Sequence, residues 1–464
     1  MLDGKRLRQN CLNFWELLAL NIALISPTMT AALIVPLMYG TAGNAGWLSY
    51  AFGAVMLMFV ALSLNQFTKR SAGTGSMYAY AVRGLGPTTG ALAGWCLIWA
   101  YTFIGTAGMT GFTTFAQQLL GMVNVNVPAI LCFAVCGALA WFLAYRDIQL
   151  STILMLGLEA ISVTLILILI GIALTAHGFA PDTDQIALKG FSFSNLGLGV
   201  VVAIFSLVGF ECATQFGHEA KNPTKTIPRA VIWSLVVTGL FFVLVTYTET
   251  MALKNNKPTL DQLTAPLTTL SMALKVGWLA PLIDAGAMVS FFSLAASCMN
   301  AGARLIYAMG QQGIFHERTG VPHKSFGTPH IALTVMLALE FLIPTGMILG
   351  KVQVTDAFND AGTFGAFGFL GGYFFICIAA PMYLKKIGEL KAPDIALAAA
   401  AVLLLLVPAV GSVYPVPSPP LNMFPYIFLS YFALGFVWFM ALKLRQEREL
   451  SRPSVAIEEL LKSA

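Results

Sequence analysis

The chain has 464 residues, 58% hydrophobic and 10% charged, at a mean hydropathy of +0.78. This composition excludes an ordinary soluble domain and points to a lipid bilayer as the solvent. A formal net charge of +5 gives no reason to expect a nucleic-acid partner.

Apolar runs of about 20 residues predict twelve membrane helices, at 14–41, 46–66, 88–112, 127–145, 149–176, 193–217, 228–252, 279–308, 330–350, 357–384, 392–412 and 423–442. With a cytoplasmic N-terminus, 21 Lys and Arg fall on the inner side. Five fall outside: Lys189, Lys254, Lys257, Lys275 and Lys351. Cytoplasmic loops are enriched in these residues, so the bias supports twelve spans with both termini in the cytoplasm, in a plasma (bacterial inner) membrane. The first run is too long and too interrupted by polar residues for a signal peptide. No connection exceeds about 25 residues, which leaves no room for a soluble catalytic or sensory domain; 1–464 reads as one transmembrane domain. The seven cysteines include no C-x-x-C pair and read as small apolar packing residues.

The first run contains "NIALISPTMTAALIVPLMYG", residues 21–40. Pro27 has no N–H and clashes with the preceding turn, while Ser26 before it is pushed out of helical geometry. Ser at N-cap followed by Pro is also a favourable helix start. Helix 1 is therefore predicted to break, with the N–H groups of Thr28, Met29 and Thr30 left without helical partners. In lipid such donors are tolerated only when protein, water or a ligand satisfies them. In helix 6, "FSLVGFECATQF" places Gly209 between Ser206 and Thr214, and a second break is expected there. The two breaks are five spans apart, so helices 1–5 (14–176) and 6–10 (193–384) read as an inverted repeat, with helices 11 and 12 (392–442) outside it. Half-helix N-termini and C-termini would then meet at the midplane, offering donors for a carboxylate and acceptors for an ammonium. The alternative is that Pro27 only kinks a continuous helix.

Several charges inside spans need a reason. Glu159 lies deep in helix 5, where an ionised carboxylate costs roughly 2.5–3.5 kcal/mol or more. It is read either as the carrier of a coupled proton or as a structural acid bonded between helices. Ser290, Ser293 and Ser297 form a polar stripe on helix 8, either a candidate ion site or a source of interhelical hydrogen bonds. Asp284 and Glu340 are expected to snorkel or pair, and Glu219, Lys221, Lys225 and Arg229 to form the cytoplasmic end of helix 6 and the loop that follows it. His316, His323 and His330 recur every seven residues, a spacing that matches no standard zinc pattern. No Ser-His-Asp order, Walker loop or nucleotide fingerprint appears in a credible context, so neither an enzyme nor a cofactor is expected.

Three segments carry a resemblance. "GFECATQFGHEAKNPTKTIPRAV" (209–231), "RSAGTGSMYAYAVRGLGPTTGALAGW" (70–95) and "NAGARLIYAMGQQGIF" (300–315) resemble three motifs of the amino acid-polyamine-organocation superfamily, which occur along the chain in the expected order. The resemblance implies an all-α integral membrane protein with the leucine-transporter-like fold: a five-plus-five inverted repeat plus two C-terminal helices, with helices 1 and 6 discontinuous. It implies a permease working by alternating access on a small-molecule substrate, an amino acid or amine, with H+ or Na+ as coupling ion. The substrate main chain would lie on Ser26, Thr28, Met29 and Thr30 and on Ser206, Val208 and Gly209. Phe205 resembles the aromatic that closes over substrate, and Glu211 the acid beneath it, paired with the substrate-side Tyr101 and read, with Glu159, as a gating or proton-coupling residue. Glu159 stands where cationic amino acid carriers hold a Lys. Many relatives have a Gly-rich break where this chain has Ser26-Pro27-Thr28, which keeps open an amine or polyamine importer, or an exchanger. A channel, a receptor and a membrane-embedded hydrolase are the readings from other classes. No effector domain, pore-like ring of charges or His/Asp cluster recommends them.

Overall fold

The structure, a computed structural model, describes residues 10–71, 76–146, 148–414, 416 and 419–445. The basic N-terminus, part of the second motif at 72–75 and the charged tail after Arg445 lie outside them. Among the described residues there is no strand, only an isolated parallel bridge between Leu12 and Ala220.

The chain begins with α1 (Phe14–Ile25), α2 (Pro27–Met29), α3 (Val35–Ala42) and α4 (Gly46–Thr68). Next come α5 (Ser76–Leu85), α6 (Pro87–Met122), α7 (Ala129–Arg146), α8 (Ile148–Ala176) and the short α9 (Thr183–Ile186). After α10 (Phe193–Leu207) come α11 (Pro223–Ala252), α12 (Pro266–Ala273), α13 (Ala280–Gln311) and α14 (His330–Leu349). The last three are α15 (Val354–Lys386), α16 (Ala392–Gly411) and α17 (Phe424–Arg445). Ten helical stretches among the described residues are long and apolar enough to cross a membrane. The first, Phe14–Thr68, has 55 residues. A straight helix of that length would run about 80 Å, far beyond a hydrocarbon core of about 30 Å.

Local chemistry sets the start of α1. Asn13 Oδ1 accepts from the N–H groups of Trp15 at 2.8 Å and Glu16 at 3.1 Å, and Glu16 Oε2 accepts from Asn13 N–H at 2.6 Å. This reciprocal capping box satisfies orphan donors at both ends of the motif. The helix stops after Ile25 because Ser26 adopts the left-handed region, φ 50°, and Pro27 comes next. Beyond α2, Thr30–Ile34 widens to a π-type turn in which Val35 N–H donates to Thr30 O. Pro36 explains the widening: it offers no N–H and its ring excludes an ordinary turn before it.

The centre of the bundle is α6, packed between α13 and α15. Glycines permit the approach. A Cβ on Gly108 would stand 2.7 Å from Ala295 N, and one on Gly368 would stand 2.6 Å from Cys96 O. Without a hydrophobic force between helices in lipid, such close backbone packing is what holds them together. At the rim, α17 is tied to α6 by the stacked rings of Trp95 and Tyr431, 4.6 Å apart.

Candidate functional site

The sequence expectation of free donors at Ser26-Pro27 is corrected by the structure. Thr28 N–H donates to Glu159 Oε1 at 3.3 Å, and the N–H groups of Met29 and Thr30 donate to Ser26 O at 2.9 and 3.4 Å. Ser26 does not cap through its side chain, because its left-handed backbone turns the carbonyl, and not the hydroxyl, toward the new turn. Its hydroxyl instead pairs with Ser290 Oγ of α13 at 2.9 Å. Thr28 Oγ1 donates to Glu159 Oε1 at 3.1 Å, and Ser290 Oγ donates to Glu159 Oε2. A carboxylate on α8 thus fills the gap in the first helical run and links it to α13. Ionised oxygens and helix-start N–H groups attract each other strongly. A cavity of about 390 Å³ reaches this cluster, with Pro27 and Glu159 in its wall beside Thr238 and Phe241.

At the second break α10 ends at Leu207, Val208 is extended, and Gly209 takes φ +99°. A side chain at Gly209 would meet Leu24 of α1. The expected second half-helix does not form: Cys212–Gln215 is a single 3-10 turn, and the next helix begins at Pro223. The reason lies in where the backbone groups go. Ala213 N–H is taken by Asn21 Oδ1 at 2.6 Å. Further on, Cys11 and Leu12 donate to Glu219 O at 2.8 Å each, and Lys221 N–H donates to Leu12 O at 2.7 Å. These bonds to α1 and the segment before it replace a helical ladder.

Other residues singled out in the sequence fall into place unevenly. Glu211 Oε2 accepts from Tyr373 at 2.7 Å; Tyr101, the partner expected from the sequence, also lies at this carboxyl, and its hydroxyl accepts from Gln215 Nε2 at 3.3 Å. Glu211 Oε1 is buried without a partner, as are Thr30 Oγ1 and Ser293 Oγ. Ser293, one turn from Ser290 on α13, thus makes no hydrogen bond to the Glu159–Ser290 cluster. Ser206 is drawn to α4, pairing with Tyr50 OH at 2.8 Å. Phe205 sits over Gly362 and tilts against Phe358 at 5.6 Å, which meets Phe291 at 5.7 Å, so three helices are joined by one aromatic layer.

Asp284 pairs, accepting from Gln118 Nε2 at 2.8 Å and Thr268 Oγ1 at 3.0 Å. Glu340 neither snorkels nor pairs: it is fully buried on Gly105 of α6 with no hydrogen-bond partner. Glu219 lies in the loop after the second break, as expected, but it is buried there as half of a fork with Arg304, at 2.7 and 2.9 Å. The Arg304 guanidinium also lies over the Phe216 ring, 4.3 Å from its centroid. Sequence reasoning missed Glu249, which is fully buried near Tyr50 with both oxygens unpartnered. The signal was present as an acid inside an apolar run, although only three residues from the run's end.

An all-helical membrane protein with interrupted helical runs and a buried carboxylate bridging one interruption has the parts of a transporter. The chain belongs to the amino acid permease family, whose pattern it matches over residues 17–442. It is 23% identical over 345 residues to a branched-chain amino acid permease of Bacillus subtilis, covering 70% of this chain and 72% of that protein. A methylthioribose transporter of the same organism is 25% identical over 373 residues, 76% of each chain. A low-affinity putrescine importer of Escherichia coli is 24% identical over 313 residues, 63% of this chain and 66% of the importer. The family and these relatives are transporters and not enzymes.

Proposed function

We propose that this chain is a secondary carrier that moves an amino acid across the plasma membrane by alternating access, coupled to protons through Glu159. Twelve spans, with Phe14–Thr68 crossing twice and α10 with the turn after it crossing once, put both termini on one side, the cytoplasmic one by the Lys and Arg bias, and leave a five-plus-five inverted repeat. The single observation that carries the coupling is the seat of Glu159 between Thr28 and Ser290. As a carboxylate it accepts from both and ties α8 to the break and to α13. Protonation removes acceptor capacity and loosens that tie, so proton and substrate act on the same two-state element. The Phe205 layer and the Glu219–Arg304 fork then serve as the two gates.

A second reading, an amine carrier, is favoured by one observation: the helix-start N–H groups are already occupied, while Glu211 Oε1 is an unpartnered acceptor suited to an ammonium. Uptake into proteoliposomes of a labelled amino acid and amine panel, under imposed pH or sodium gradients, tests both. A proton gradient should drive accumulation, and counterflow should exceed simple efflux. Glu159→Gln should lose the accumulation and keep counterflow. Full pH-driven accumulation by that variant would overturn the coupling. Competition by simple amines, with none by N-acetylated amino acids, would replace the first reading with the second.

A further inference from the structure

A groove of about 510 Å³ lies between α6, α14 and the turn after α13, away from the breaks. We propose that it is a phospholipid site: one acyl chain occupies the groove and the lipid phosphate meets the His316–Thr319 turn. Trp99 and Phe103 form one wall, and Val335, Leu339 and Ile343 the other. The three α14 residues are four apart and so share one face. From His330, the first residue of α14, to Ile343 the helix rises about 20 Å at 1.5 Å per residue. Half of a hydrocarbon core is about 15 Å. The groove therefore runs from the membrane surface to near its midplane, the reach of one chain in one leaflet.

Apart from Thr102, whose buried hydroxyl has no partner, the walls offer ring faces and aliphatic carbons. The indole N–H groups are turned elsewhere, Trp95 to Tyr431 O at 3.1 Å and Trp99 to Phe364 O at 2.7 Å. Val335 at the rim is 38% exposed, so the groove opens toward lipid. Its mouth changes character. His316 Nδ1 accepts Arg318 N–H at 3.2 Å, so the ring proton is on Nε2, a donor on an exposed side chain. Thr319 Oγ1 donates to His316 O at 2.8 Å and fixes the turn, which packs so closely on α13 that a Cβ on Gly320 would stand 2.6 Å from Gln311 N. Arg318 and Glu317 are both exposed on this turn, so the mouth is dipolar and not strongly cationic. That suits the phosphate common to zwitterionic and anionic lipids, without strong choice between them. A chain-deep apolar slot with a ring N–H donor and an exposed Arg318 at its mouth fits a lipid, whose acyl chain and phosphate are joined at that spacing.

The test titrates detergent-solubilised protein with phosphatidylcholine or phosphatidylglycerol carrying brominated chains and monitors tryptophan fluorescence, since Trp95 and Trp99 line the groove. Saturable quenching at about one lipid per chain is expected, similar for the two headgroups. Val335→Phe, which fills the groove from an exposed position, should weaken it about tenfold or more, roughly 1.4 kcal/mol. His316→Ala, on the exposed turn, should weaken it several-fold and serves independently if the first variant folds poorly. Quenching that never saturates, or that both variants leave unchanged, overturns the proposal. So does a cross-linked dimer that Val335→Phe dissolves, because the groove would then be an interface between copies.

Discussion

Glu219 and Arg304 are 2% and 1% exposed and hold each other through two parallel bonds. Removing one partner of such a pair leaves an uncompensated buried charge, at a cost of about 3–5 kcal/mol. Arg304→Met should therefore lower the thermal midpoint in detergent sharply, whereas Arg304→Met with Glu219→Leu should recover most of the loss. Equal damage in single and double variants would mean that the fork contributes through packing on Phe216 instead. None of this was legible locally: the two residues are 85 apart, and the sequence presents Glu219 as one charge in a solvated loop. Glu159 was legible as an acid in the wrong solvent. Its partners, each 131 residues away, were not.

At the scale of elements, the two interruptions have different causes. The one after α1 is dictated by covalent chemistry, since Pro27 denies a donor whatever surrounds it. The one after α10 rests on Gly209 at φ +99°, with Leu24 pressed onto it. A non-glycine residue in that region costs about 1–2 kcal/mol, so Gly209→Ala should lower the detergent midpoint and impair transport. Adding Leu24→Ala removes the collision but not the backbone strain, and should recover only part. Full recovery would place the whole cost in packing. The position of this break was legible in the sequence, but the 3-10 turn and loop between it and α11 were not. The bonds from Asn21, Cys11 and Leu12 that replace a helix there come from another part of the chain.

For the molecule as a whole, the loop between α8 and α10 is anchored to the end of α11. Lys254 Nζ lies 3.0 Å from Asp182 Oδ1 and 2.6 Å from Asp184 Oδ2. Burial opposes the Asp182 charge, but hydrogen bonds from Gln185, Lys254 and the Asp184 N–H outweigh it and hold its carboxyl below the usual range. The hydrogen bond from Lys254 holds Asp184 low as well, and those carboxylates raise Lys254. A depressed carboxyl stabilises above its unfolded value, about 3.9, and that help is lost as pH falls through the folded value. A raised amine stabilises below about 10.4 and loses its contribution as pH rises through the folded value. Hydrogen exchange of residues 181–189, corrected for its intrinsic pH dependence, should be slowest between these limits and accelerate beyond both. Lys254→Ala should flatten the profile; an unchanged profile would show that the anchor is held by the bonds of Asp182 N–H to Tyr247 OH at 2.8 Å and of Gln185 Nε2 to Tyr247 O at 2.9 Å alone.

Composition and hydropathy determined that the chain lives in a bilayer as a helical protein, and three motifs determined its family, because solvent and local geometry act on each residue where it stands. The break at Ser26-Pro27 belongs to this set. Which groups satisfy that break was decided only by tertiary structure: Glu159 and Ser290 reach it from α8 and α13, and farther along α13 Arg304 forms its fork with Glu219. Hydrogen bonds and ion pairs depend on distances between segments remote in sequence, and a periodic pattern of apolar residues fixes which face is buried but not which polar atom it will meet.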